Sequence, residues 1–99
     1  IYVSGDRMYP FLKSGDLIIY KKMRNRIEHI IWGEMYLISV VTDEPEEFLL
    51  IRWVQKSDKG EEWIKLVSEN SRYESTDVLL KNVEGLALIK ATIRINSNF

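Results

Sequence analysis

The sequence predicts a mostly β, antiparallel fold, and three observations lead there. Several short, β-rich stretches recur along the chain, punctuated by glycine and proline. Toward the C-terminal end, Ile89, Ala91, Ile93 and Ile95 alternate with Lys90, Thr92, Arg94 and Asn96. That period of two marks a strand with one buried face. Only residues 9–13 and 76–81 offer helical turns, and both stretches are short.

Taken in order, the first strand is Leu17-Ile18-Ile19-Tyr20, which follows the turn Ser14-Gly15-Asp16 and runs into the charged Lys21-Lys22. The second is Met35–Val41, introduced by Gly33. Residues 48–55 form the third, entered through an acidic loop over residues 42–47 that contains Pro45. Ser57-Asp58-Lys59-Gly60 reads as a hairpin turn leading to a fourth strand over residues 62–67. In the third strand, alternation sets Phe48, Leu50, Arg52 and Val54 on one face and Leu49, Ile51 and Trp53 on the other. Apolar residues on both faces imply burial between two layers or beneath a partner subunit.

The 99 residues make one domain, residues 1–99, and 45% hydrophobic with 29% charged residues is ordinary globular composition. No cysteine is present, so disulfide frameworks and cysteine-based metal or redox sites are excluded. Fourteen basic against fifteen acidic residues leave a net charge of -1, which is no domain-wide footprint for nucleic acid. The absence of cysteine fits a cytoplasmic setting, which is expected; separately, no apolar run is long enough to span a bilayer and no signal-peptide pattern opens the chain. The first residue, Ile1, already belongs to an apolar/polar alternation, so a further part of the protein is expected upstream.

The informative stretch is Val3-Ser4-Gly5-Asp6-Arg7-Met8-Tyr9-Pro10-Phe11-Leu12-Lys13-Ser14-Gly15-Asp16-Leu17-Ile18. It resembles the signature of the LexA-type self-cleaving regulators, a group that includes lambda-type phage repressors. Gly5, Asp6, Met8, Pro10, Leu12, Gly15 and Asp16 fall where that signature has glycine, an acidic or other residue, methionine, proline, an apolar turn and Gly-Asp. Ile31-Trp32-Gly33-Glu34-Met35-Tyr36 is similar to the family's strand start around a Gly-x-x-Tyr. Leu66-Val67-Ser68-Glu69-Asn70-Ser71-Arg72-Tyr73 is similar to its L-x-S-x-N-x-x-Y segment, which marks Ser68, Asn70 and Tyr73. The matches follow the family's order across most of the chain. The resemblance implies a compact antiparallel β-fold of the type shared with signal peptidases, and a Ser/Lys self-cleaving site.

The departures fall on the chemistry. By the resemblance, the nucleophilic serine belongs between Asp6 and Met8, where the chain has Arg7. The general-base lysine belongs to the strand Ile51-Arg52-Trp53-Val54, in a register that puts Arg52 at its position. Ser/Lys catalysis needs a hydroxyl oxygen to attack the amide and a neutral amine to take its proton. A buried lysine can be neutral near pH 7, but a guanidinium stays protonated and carries no nucleophilic oxygen. The resemblance therefore implies a non-catalytic dimerisation and regulatory domain of a prophage-type transcriptional regulator. It implies a helix-turn-helix DNA-binding domain upstream, DNA contact only through that domain, a homodimer, a regulatory protein partner in place of cleavage, and no cofactor.

Two rival readings remain. One is an active self-processing peptidase using Ser4 or Ser14 with Lys13, Lys21 or Lys22; turn chemistry already explains Ser14. The other is a peptide- or anion-binding pseudo-enzyme, since arginine forks suit carboxylates and phosphates. Two facing guanidiniums repel, so Arg7 and Arg52 are expected to splay toward water or pair with Asp6, Glu74 or Asp77. His29, the only histidine, reads as a loop residue, because Glu28 alone beside it makes no metal site. The cluster Lys21-Lys22-Met23-Arg24-Asn25-Arg26 reads as a solvated strand end, and the tryptophans as structural. Residues 87–95 are the expected dimer contact.

Overall fold

A computed structural model describes residues 1–23, 27–41 and 47–94. The strands are β1 (Leu17–Met23), β2 (Met35–Val41), β3 (Glu47–Lys56), β4 (Trp63–Val67), β5 (Thr76–Leu79) and β6 (Val83–Ile93). They form one antiparallel sheet in the order β1-β6-β2-β3-β4-β5. The mostly β architecture read from the sequence is the one observed. Short 3-10 turns at Ile27–His29 and Leu80–Asn82 are the only helical elements among the described residues.

β2 lies near the middle of the sheet, and its residues from Met35 through Val40 are buried on both faces. On one face Tyr36 and Ile38 of β2 join Val54 of β3, Ile64 and Leu66 of β4 and Leu86 of β6 in a dry core. Burial of such side chains supplies roughly 1.5–3 kcal/mol apiece. The Tyr36 hydroxyl is satisfied there by accepting the Ile31 N–H at 2.9 Å.

The opposite face is covered by residues 1–16, a hook that lays Val3, Met8 and Leu12 over Ile18 and Met35, with Ile51, Trp53 and Ile89 at the margin. The hook is closed by backbone bonds from Val3 N–H to the Asp16 carbonyl and from Gly15 N–H to the Val3 carbonyl, both 2.8 Å. Within it, Leu12 N–H reaches the Met8 carbonyl at 2.8 Å, closing a turn where a helical one is expected over residues 9–13 but no helix forms. Phe11 meets Trp53 edge-on, ring centres 5.4 Å apart.

At the base of the hook the buried carboxylate of Asp16 accepts Arg94 Nε at 2.9 Å and Arg94 Nη2 at 2.8 Å. It also accepts the Lys13 N–H at 2.9 Å. These bonds, Arg94's first, hold the Asp16 carboxyl down at about 2.

Two expectations need correction. Residues 76–81 were expected as a helical turn; residues 76–79 are strand β5, paired with β4 from Thr76↔Leu66 to Leu79↔Trp63, and only Leu80–Asn82 turns. Cross-strand pairing and burial of Val78 against the dry core override the weak local helical pattern. The last strand begins at Val83, and its buried part ends near Ile89; Ala91 and Ile93 are exposed. A bulge at Ile19/Tyr20 marks the shift, beyond which β1 and β6 run on as a two-stranded ribbon. Residues 24–26 of the basic cluster, the Pro45 loop through residue 46, and Ile95 lie outside the described residues.

Candidate functional site

The motif residues of the hook and of the segment after β4, far apart in sequence, meet in the fold. Asn70 Nδ2 donates to the Asp6 carbonyl at 3.0 Å, and the Asn70 N–H donates to the Arg7 carbonyl at 2.9 Å. The Tyr73 hydroxyl donates to Asp6 Oδ1 at 2.6 Å. Asn70 Oδ1 accepts the Arg72 N–H at 3.1 Å, an Asx-type turn that presents Tyr73. Gly5, at φ +78, lets the chain bend sharply into Asp6-Arg7.

This junction borders a cleft of about 400 Å³. Gly5, Asp6, Arg7, Met8, Arg52 and Tyr73 line it, with Leu37, Leu49 and Ile51 as apolar wall. Pro10, which follows a cis peptide bond, and Ser68, half-buried beyond β4, do not line it. Arg7 and Arg52, singled out on separate segments, thus stand at one cleft.

Neither arginine forms an ion pair with a described residue. Arg7 lies over the Tyr73 ring, its guanidinium carbon 4.1 Å from the centroid. Arg52, half-buried, turns back on its own strand and donates from Nη1 to the Ile51 carbonyl at 2.6 Å. Burial, and then the charge of Arg7, lower the Arg52 pKa from its usual value. The carboxylates expected as partners are otherwise arranged. Asp6 accepts from Tyr73, raising that phenol's pKa, and Asp77 accepts the Ser57 hydroxyl at 2.6 Å. Glu74 is exposed and outside the cleft. An aromatic face and a backbone carbonyl take the guanidiniums instead.

The edge of β3 decides what the cleft offers a ligand. The register of β2 on β3 is unbroken from Met35↔Trp53 to Val41↔Glu47, and β4 joins β3 only from Trp53 onward. Val54 bonds toward Gly33 and Glu34, on the β2 side. Alternation therefore turns the backbone groups of Ile51 and Leu49 away from β2, toward an edge that no described strand occupies. That free edge borders the two arginines, and nothing in the sequence signals it.

Of the alternative nucleophiles, Ser4 lines the cleft, and among the described residues no lysine does. Ser14 bonds to the Val3 carbonyl at 3.5 Å within the hook and lies outside the cleft. A neighbouring cavity of about 720 Å³ shares Ile1, Leu37 and Leu49 with the cleft and brings Lys22 and Ser39 to one lining. Ser39 is the one polar residue in the Met35–Val41 run, a sequence signal that could have drawn notice. Lys59 Nζ lies 4.5 Å from the ring centre of Trp63 and Lys56 Nζ 5.9 Å from that of Trp32, so these indoles already carry cations. His29 ends a 3-10 turn, its Nε2 3.9 Å from Glu28 Oε1.

No family model matches the chain, and no curated protein matches it. What the cleft can do follows from its own groups. Among its lining residues are two guanidiniums, the Asp6 carboxylate and the hydroxyls of Tyr2, Ser4 and Tyr73.

Proposed function

We propose that the chain is a non-catalytic dimerisation and regulatory domain of a LexA-like, prophage-type transcriptional regulator, a degenerate Ser/Lys peptidase. The observation that carries this reading is the meeting of Arg7 and Arg52 at one cleft, beside the Asp6–Asn70–Tyr73 junction. Those are the positions where the resemblance puts a nucleophile and its base. A guanidinium at each leaves no attacking oxygen and no proton acceptor. In this reading the protein is cytoplasmic, DNA is bound by a helix-turn-helix domain upstream, and release from DNA depends on a regulatory protein in place of self-cleavage. The homodimer contact is the exposed far end of the β1–β6 ribbon, where Leu17 pairs with Ile93 and Ile19 with Ala91. Ile19 and Ile93 are 47% and 43% exposed there, large apolar surface for an isolated domain.

The test is incubation of the full-length protein at alkaline pH, with and without an activated recombinase filament. The intact chain is expected to persist in both. Cleavage that disappears on Ser4→Ala would overturn the reading in favour of an active peptidase. Light scattering of the wild type and of Ile93→Lys checks the dimer, which the charge is expected to dissociate.

A further inference from the structure

We infer that the Arg7–Arg52 cleft binds the C-terminal end of an extended peptide, holding its terminal carboxylate between the two guanidiniums while its backbone pairs with the free edge of β3. The inference goes beyond the regulatory reading and stands on the cleft alone, so either can fail without the other.

Charge complementarity names the end group. Arg7 and Arg52 line the same space, neither has a carboxylate partner among the described residues, and the one acid facing them, Asp6, is engaged by the Tyr73 hydroxyl. Two cations left together, Arg52 half-buried and Arg7 exposed at the mouth, favour an incoming anion, which relieves their repulsion and accepts their N–H groups. Arg7 is already oriented by the Tyr73 ring, which leaves its N–H edge free to take one carboxylate oxygen. Arg52 donates only to the Ile51 carbonyl, so further N–H groups remain for the other oxygen.

The strand edge names the body. Leu49 and the Ile51 N–H turn toward an edge beside the arginines that no described strand occupies, where an added strand gains main-chain hydrogen bonds, while the Ile51 carbonyl already accepts Arg52. The wall of Leu37, Leu49 and Ile51 suits an apolar side chain on the terminal residue. Leu49 itself is 53% exposed, uncovered surface that such a residue would bury. A free phosphate would satisfy the arginines and leave the edge and wall unused.

The test passes a pool of pentapeptides, randomised at four positions and ending in leucine, over the immobilised chain, with an identical pool ending in the C-terminal amide. Retention is read by mass spectrometry. The acid pool is expected to be retained about tenfold or more over the amide pool, the effect of losing charge-assisted hydrogen bonds. Arg7→Gln and Arg52→Gln are each expected to erase that ratio with the thermal midpoint held or raised. Equal retention of the two pools, or retention of neither, overturns the inference. So does a single-stranded oligonucleotide or inorganic phosphate that binds while the acid pool does not, which would assign the arginines to phosphate. Self-cleavage and DNA release are read separately, and their outcome does not alter this one.

Discussion

At the base of the hook, Asp16 takes two N–H groups of Arg94 and a backbone N–H, and a buried carboxylate is fully answered. At its tip, Asp6 is bonded to the Tyr73 hydroxyl, and Arg7 and Arg52 are left with a ring and a carbonyl. The two ends use the same residue types to opposite effect. Where cation and anion meet in a bidentate pair, the contact locks the chain and has little left for a ligand. Where the cations are kept from the nearby acid, the charge is available, and the fold bears its cost. A site for an anion is legible in that difference.

The sharpest way to break the comparison is to loosen both ends together. Leu12, 1% exposed, plugs the middle of the hook against the sheet. Leu12→Ala is expected to cost about 2–5 kcal/mol in urea unfolding. A loss well below that would mean the hook is a flap outside the cooperative unit, and the two ends would need no common account.

Next in size is Arg94→Met, which strips the buried carboxylate of its fork. The thermal midpoint is expected to fall by more than any cleft substitution changes it. The pH dependence has a defined sign. The Asp16 carboxyl sits at about 2 against an ordinary 3.8, so its contribution is complete above about pH 4 and is lost as pH falls through about 2. Wild type is expected to lose stability across that window, and Arg94→Met to lose less there. Parallel acid curves for the two proteins would count against the pair.

Arg52→Met carries the opposite sign. Removing a half-buried cation that has no acid partner is expected to stabilise the fold, on the order of 0.5–1 kcal/mol, or a few °C in a chain this size. A fall in midpoint would show that Arg52 is compensated after all. The smallest effect is expected from Tyr73→Phe, which keeps the ring beneath Arg7 and frees Asp6 from its hydroxyl. Its midpoint is expected to shift only slightly. Its retention of the acid-ended peptide pool is expected to drop, because the unbonded Asp6 carboxylate can turn toward Arg7 and compete.

Much of the frame was open to reading. The run Met35–Val41 announces a strand, and β2 is that strand. Residues 48–55 announce cover on both faces, yet Leu49 of β3 stands exposed and β2 is the strand buried on both sides. Ser57-Asp58-Lys59-Gly60 announces the hairpin, and there the Ser57 hydroxyl accepts the Lys59 N–H while Gly60 takes φ +126. By contrast, residues 76–81 misled, since the short run Val78-Leu79-Leu80 between Asp77 and Lys81 has no period long enough to separate strand from turn. The half-buried strand was placed too late, because the alternation of Ile89, Ala91, Ile93 and Ile95 continues past the point where the sheet stops covering it.

By itself the sequence determined the fold class, the position of the strands with clear patterns, and the exclusion of cysteine chemistry; it also drew notice to Arg7 and Arg52. These depend on neighbours along the chain, through hydrophobic period and turn chemistry. Only the tertiary structure decided that Asp16 would claim Arg94 from 78 residues away, that Asp6 would be held by Tyr73, and that Ile51 would stand at an open edge. Which cation is answered and which is left over depends on how distant segments close in space, and pairing at that range leaves no period in the chain.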